Sequence, residues 1–172
     1  MNIFVLDSDP AKAAHYLCDK HVIKMILESF QMFCTVLRHY GLNDSKLYRS
    51  THVKHPCVLW LIESRSNYVW LLNHVEAMQK EYYFRYLKIH ASYRKLWDVV
   101  NDIPKDYPEL GLTKFRLAMP DKYKCNDPIL SYRLYYIGEK LRFAKWSPPS
   151  EVPDWIIKDF EEKKKRIYLI ST

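Results

Sequence analysis

Glycine is nearly missing from this sequence: its 172 residues hold three. Neither Gly-x-Gly-x-x-Gly nor Gly-x-x-x-x-Gly-Lys-Ser/Thr occurs, so a phosphate site cradled by a glycine loop is excluded. The Gly-x-Ser-x-Gly nucleophile elbow and the His-x-Glu…Pro-Cys-x-x-Cys pattern of zinc deaminases are also missing. Cysteine is sparse, and Cys18, Cys34, Cys57 and Cys125 form no Cys-x-x-Cys pair. They read as reduced thiols, which argues against a disulfide or zinc framework. No apolar run approaches the length of a membrane span. Asp7, Asp9 and Lys12 interrupt the N-terminal apolar segment, so no secretion signal is expected and the chain reads as cytoplasmic.

What the sequence does have is positive charge and aromatic rings. The net charge is +7 and the pI about 9.1, with fourteen tyrosines and five tryptophans, many beside Lys or Arg. Rings can stack on bases while neighbouring cations hold phosphates, so the composition suits a nucleic-acid partner. Rings that merely fill the outer core would give the same composition. At this length the chain is expected to form a single domain spanning residues 1–172.

Asn2–Leu6 reads as a short extended segment. Asp9 as N-cap and Pro10 at the first helical position then open a helix expected to run to about Tyr40, where Gly41 stops it. A polar loop, 43–52, follows. His55-Pro56 opens the next helical region. From Cys57 to Val100 there is no Gly or Pro. That is too long for one ordinary helix, and breaks are expected near 64–67, near 89–92, or at both. Residues 103–128 carry four prolines and one glycine and should be mostly loop. Further helices are expected at about 128–143 and 155–168. The sum is a single compact all-α domain with one short N-terminal extended segment.

On a helical wheel, Lys20, His21, Lys24, Glu28, Gln31, Thr35 and Arg38 share a narrow sector of an otherwise apolar helix. Such a stripe faces either solvent or a cleft. A carboxylate beside a His and a Lys is a usual acid–base set. His52 and His55 are spaced for a metal only if helical, and Pro56 disfavours that. No Cys/His cluster completes a site, so no metal and no cofactor are expected. His55 at a helix start can instead bind a phosphate or orient a base. Asn67, Trp70, His74, Glu81 and Arg85 share one helix face, either as a buried polar network or with Arg85 reaching a phosphate. In the stretch 132–146, Arg133, Tyr135, Tyr136, Lys140, Arg142, Phe143, Lys145 and Trp146 interleave rings and cations, the pattern of a nucleic-acid surface or of a helix whose rings point inward.

Asp19-x-His21 followed by Glu28, inside a long N-terminal helix, resembles the phage endonuclease V family of pyrimidine-dimer DNA glycosylases. The chain as a whole also resembles small proteins carried by tailed phages, which would place it in an infected bacterial cytoplasm. The resemblance implies a compact all-α fold, DNA as partner, and a glutamate, here Glu28, working with an N-terminal amine that attacks the sugar C1′ to form a Schiff base. His21 would assist. In the family a small second residue lets the initiator Met be removed; here Asn2 is bulky and should leave Met1 in place. Then either the Met1 amine or Lys24, one turn from Glu28, forms the imine, or no imine chemistry occurs. Amines at chain starts titrate about two to three units below lysine side chains in ordinary peptides, which favours Met1.

Three activities follow as alternatives. The first is a glycosylase or glycosylase/lyase acting on damaged or modified pyrimidine in DNA. The second is a transferase that elaborates a modified base in phage DNA. The third is a non-enzymatic binder of nucleic acid or nucleotide that acts against a host system. The lesion, the strand state of the DNA and the oligomeric state are not legible in the residues.

Overall fold

A computed structural model describes residues 1–100 and 103–170, with side chains described as far as residue 162. It holds seven α-helices: α1 (Pro10–His15), α2 (Asp19–His39), α3 (Pro56–Glu63), α4 (Arg65–Tyr86), α5 (Ala91–Leu96), α6 (Pro128–Glu139) and α7 (Asp154–Ile170). No strand occurs among the described residues, so the domain is all-α. None of the helices is long and apolar enough to cross a membrane, among the described residues.

Local chemistry sets most helix ends. Proline occupies the first position of α1, α3 and α6, where its missing N–H costs no hydrogen bond. The preceding residue caps each of them. Asp9 accepts from Ala11 and Lys12, His55 Nδ1 from Cys57, and Asp127 from Ile129 and Leu130. At the end of α2, Gly41 takes φ +86°, and the N–H groups of Gly41 and Leu42 return to the carbonyls of Arg38 and Leu37. That is a Schellman stop, and it needs the left-handed conformation glycine adopts freely. Both expected breaks in the 57–100 stretch are present. Ser64 separates α3 from α4, and residues 87–90 separate α4 from α5.

Two expectations need correction. The first helix does not run unbroken to Tyr40; residues 16–18 interrupt it. Its freed backbone groups are taken by distant side chains: Trp146 donates to the Tyr16 carbonyl, Arg85 to that of Leu17, and Cys18 N–H donates to the Tyr136 hydroxyl. Tertiary partners thus stabilise a break that no Gly or Pro marks. The helix expected over 128–143 stops at Glu139. The 103–127 stretch is irregular as expected, apart from one 3₁₀ turn at Asp121–Tyr123.

Helices α2 and α4 form the centre. α4 packs on α1, α2 and α3, while α2 also touches α3 and α5. Leu6, Leu17, Ile26, Phe33, Trp60 and Tyr68 are among the fully enclosed side chains. Burying each removes enough apolar surface to contribute about 1.5–3 kcal/mol. The N-terminal segment, residues 2–6, is buried against this core without pairing as a strand. The irregular 103–120 stretch docks through side chains. Asn67 donates to the Trp60 carbonyl and the Thr113 hydroxyl and accepts from Thr113 N–H. Tyr132 donates to the Arg116 carbonyl, and Asn2 Nδ2 to that of Ala118.

Candidate active site

The polar stripe of α2 lines a cleft. His21 and Glu28 are buried at 6% and 8% exposure, while Lys24 between them remains exposed. Above them opens a cavity of about 360 Å³. Its floor is α2, one side is the N-terminal segment through Met1, Asn2 and Phe4, and Tyr135, Lys140 and Phe143 complete the wall.

Glu28 is the hub. Its Oε2 accepts from Asn2 N–H at 3.0 Å and lies 3.7 Å from the Met1 amine, and its Oε1 lies 3.3 Å from Lys24 Nζ. The chain reverses through residues 7–9 before α1, which carries Met1 back across α2. Asn2 holds this return in place. Its side-chain oxygen accepts from Ile3 and Phe4 N–H, its amide grips the Ala118 carbonyl, and Phe4 sits at φ +56°. A left-handed conformation at a bulky residue is strained, and it persists here under these bonds. Phe4 then stacks on the His21 ring, centroids 4.3 Å apart.

His55 approaches from the other side. Its Nδ1 caps α3, and its ring lies beside the Met1 backbone. Burial pushes its pKa down, helped by the chain-terminal amine and His52, and opposed by Glu28. Burial likewise lowers the His21 pKa to about 3, assisted by Lys140 and Lys24. At neutral pH His21 is therefore an uncharged imidazole. Lys20, Lys24, Lys140 and the Met1 amine surround one carboxylate, so the cavity favours a substrate carrying negative charge.

A family model described as pyrimidine dimer DNA glycosylase matches residues 1–95, more than half of the chain. The chain belongs to that family. No curated protein matches it, and no solved structure does. The matched span contains Met1, Asn2, His21, Lys24, Glu28 and His55, whereas Tyr135, Lys140 and Phe143 lie beyond it. A glycosylase family makes DNA the substrate class.

The residues expected to contact DNA in this glycosylase-family chain separate into two groups. Tyr135 and Lys140 line the cavity, with Lys140 Nζ 4.5 Å above the Tyr135 ring. Arg142 and Lys145 are exposed, Arg142 lying over the Phe143 ring. The others are turned to structural use. The Arg85 side chain is fully buried and pairs with Asp19 and Glu81, so it sits in the polar network expected on that face, with its guanidinium enclosed rather than presented at the surface. Asp19, the first residue of the motif, also accepts from Ser147. Arg133 donates to the Leu6 carbonyl and pairs with Asp7, and Trp146 is half-buried on Tyr16. Tyr136 is completely buried behind His21 and offers no surface for a base. Sequence reasoning left Asn2 and Phe4 outside the site, whereas Lys20 was on the stripe and Phe143 in the 132–146 stretch; nothing in the pattern of the N-terminal segment marks Phe4.

Proposed function

We propose that this protein cleaves the N-glycosidic bond of a damaged or modified pyrimidine in DNA, with the Met1 amine as nucleophile and Glu28 as its carboxylate partner. One observation supports it above the others: the Met1 amine lies beside Glu28 inside a cationic cavity. In the proposed reaction the amine lone pair attacks C1′, the C1′–N1 bond breaks, and its electron pair leaves with the base. Glu28 takes the proton the amine loses and balances the cationic sugar. Opening of the sugar ring at O4′ then gives an imine. Loss of a C2′ proton from that imine and cleavage of the C3′–O3′ bond would add a lyase step.

Lys24 is the rival amine, at 3.3 Å from the other carboxylate oxygen. Its side chain is 66% exposed and pairs with Glu28 one helical turn away, the ordinary arrangement of a surface ion pair. The Met1 side chain is enclosed at 2% exposure, which anchors the chain start beside Glu28, while Lys24 is held only by its own helix.

Borohydride reduction in the presence of DNA carrying an abasic site, followed by digestion and mass analysis, tests this. The expected adduct is on the peptide beginning at Met1. An adduct on Lys24 reassigns the nucleophile. No adduct, where a known lyase is trapped, removes the imine route.

A further inference from the structure

Tyr136 lies outside the family match, on α6, and its ring is fully buried. Its hydroxyl accepts from Cys18 N–H at 2.9 Å and meets His21 Nδ1 at 2.8 Å. A phenol has one proton to give. With Cys18 N–H already donating into the oxygen, that proton needs an acceptor. The Cys18 thiol beside it is a weak one, and imidazole nitrogen is far stronger. Tyr136 therefore donates to Nδ1, and the ring's own proton resides on Nε2. The ring cannot turn to exchange its nitrogens. Phe4 stacks on one face at 4.3 Å, and Phe143 and Tyr136 meet it edge-on. Nδ1 faces Tyr136, which leaves Nε2 to the cavity that His21 lines.

We infer that Tyr136 is a positioning residue that holds His21 as a fixed Nε2–H donor aimed at the departing pyrimidine. This rests on the glycosylase reading above. When the C1′–N1 bond breaks, the electron pair spreads over N1 and the C2 carbonyl of the base. An N–H already pointing at that oxygen stabilises the developing charge without reorganising. The proton that finally neutralises the base comes from solvent, and His21 returns unchanged. The burial that keeps the imidazole uncharged serves the same end, because a charged ring would carry protons on both nitrogens and could no longer accept from Tyr136. The charged groups around it, Lys20, Lys24, Lys140, the Met1 amine and Glu28, all lie on the cavity side. The donor serves base departure and has no part in imine chemistry at an abasic site.

The test uses full-length protein labelled with ¹⁵N at histidine. Imidazole nitrogen–proton spectra from pH 5 to 8 should show His21 protonated at Nε2, bare at Nδ1 and not titrating. Tyr136→Phe should mix the two tautomers. Base release from a duplex carrying a single thymine dimer should fall about tenfold in Tyr136→Phe, the loss expected when one hydrogen bond to developing charge is misaligned. Borohydride trapping on a preformed abasic site should be unchanged. His21→Gln, which keeps an amide N–H donor, should release base faster than His21→Leu. A wild-type His21 protonated at Nδ1, or titrating near pH 6.5, overturns the assignment. So does an equal loss of base release and trapping in Tyr136→Phe, which would make Tyr136 merely structural. A wild type with the expected spectrum but no base release leaves the tautomer standing and sinks the glycosylase reading.

Discussion

The N-terminal and C-terminal halves of this molecule contribute different things to one cavity. Residues 1–95 supply the groups proposed to react: the Met1 amine, Glu28, Lys24 and His21. Residues beyond the family match supply enclosure. Tyr135, Lys140 and Phe143 form a wall, the Ala118 carbonyl anchors Asn2, and Tyr136 stands behind His21. The first half is built from long helices, and the second until α6 from irregular chain pinned by side-chain bonds. Chemistry needs fixed geometry, and two packed helices deliver it. Recognition needs a surface that can differ between substrates, and a loop-rich wall is free to vary without moving the carboxylate.

This division can be broken at several points. The largest expected effect is on the frame itself. Arg85→Met strands the carboxylates of Asp19 and Glu81, which are 16% and 14% exposed, without their cation. Stability should fall by about 3–5 kcal/mol, with a drop in Tm on the order of 10 °C. Calorimetry measures it, and DNA binding well below the new Tm should survive. Next is Glu28→Gln, in the reactive half. Base release and trapping should fall about a hundredfold or more, while Tm moves by only about 4 °C because the amide oxygen still accepts from Asn2. Full turnover in that variant would show that the carboxylate has no chemical role.

The second half should answer differently. Arg142→Ala with Lys145→Ala should reduce the slope of log binding constant against log salt by about two, with trapping at saturating DNA unchanged. An unaltered slope would move the phosphate track elsewhere. The smallest effect is a matter of pH. Burial lowers the His74 pKa to about 4 and that of His21 to about 3, from an ordinary 6.5. Between those values and pH 6.5 the unfolded chain holds more protons than the folded one. Stability is then full above about pH 6.5 and falls as pH drops, each group adding a slope of about 1.4 kcal/mol per unit. His74→Phe should make denaturation curves from pH 4.5 to 6.5 shallower in pH by about one group's share.

Much of the frame was legible because its determinants are local. Pro10, Pro56 and Pro128 with their caps start helices, Gly41 ends one, and the stripe from Lys20 to Glu28 predicted a helix with a polar seam. The break at 16–18 was not legible, since the groups that stabilise it, Arg85, Tyr136 and Trp146, are 68 to 130 residues away. The same distance hid the roles of the 132–146 stretch. Alternating rings and cations look alike whether they face solvent or core, and only packing turned Tyr136 inward and left Arg142 out. Glu28, His21, Lys24 and Met1 were legible as a set, three of them by helical spacing and Met1 through the family resemblance. That Asn2 anchors the amine depends on Ala118, which no pattern in the first half announces.

The Asn2 backbone nitrogen lies nearer to Glu28 than the Met1 amine does, 3.0 against 3.7 Å. A recombinant version with an affinity tag fused ahead of Met1 would carry an amide there, without a lone pair to donate. The tag would also have to leave through the cavity that Met1 lines. Trimming Met1 with an aminopeptidase would instead put a primary amine on Asn2, within hydrogen-bond reach of the carboxylate. On the proposed mechanism, preparations that differ only in how their first residue was processed would then differ in kind: one inert, the others each with a nucleophile placed differently against the same glutamate.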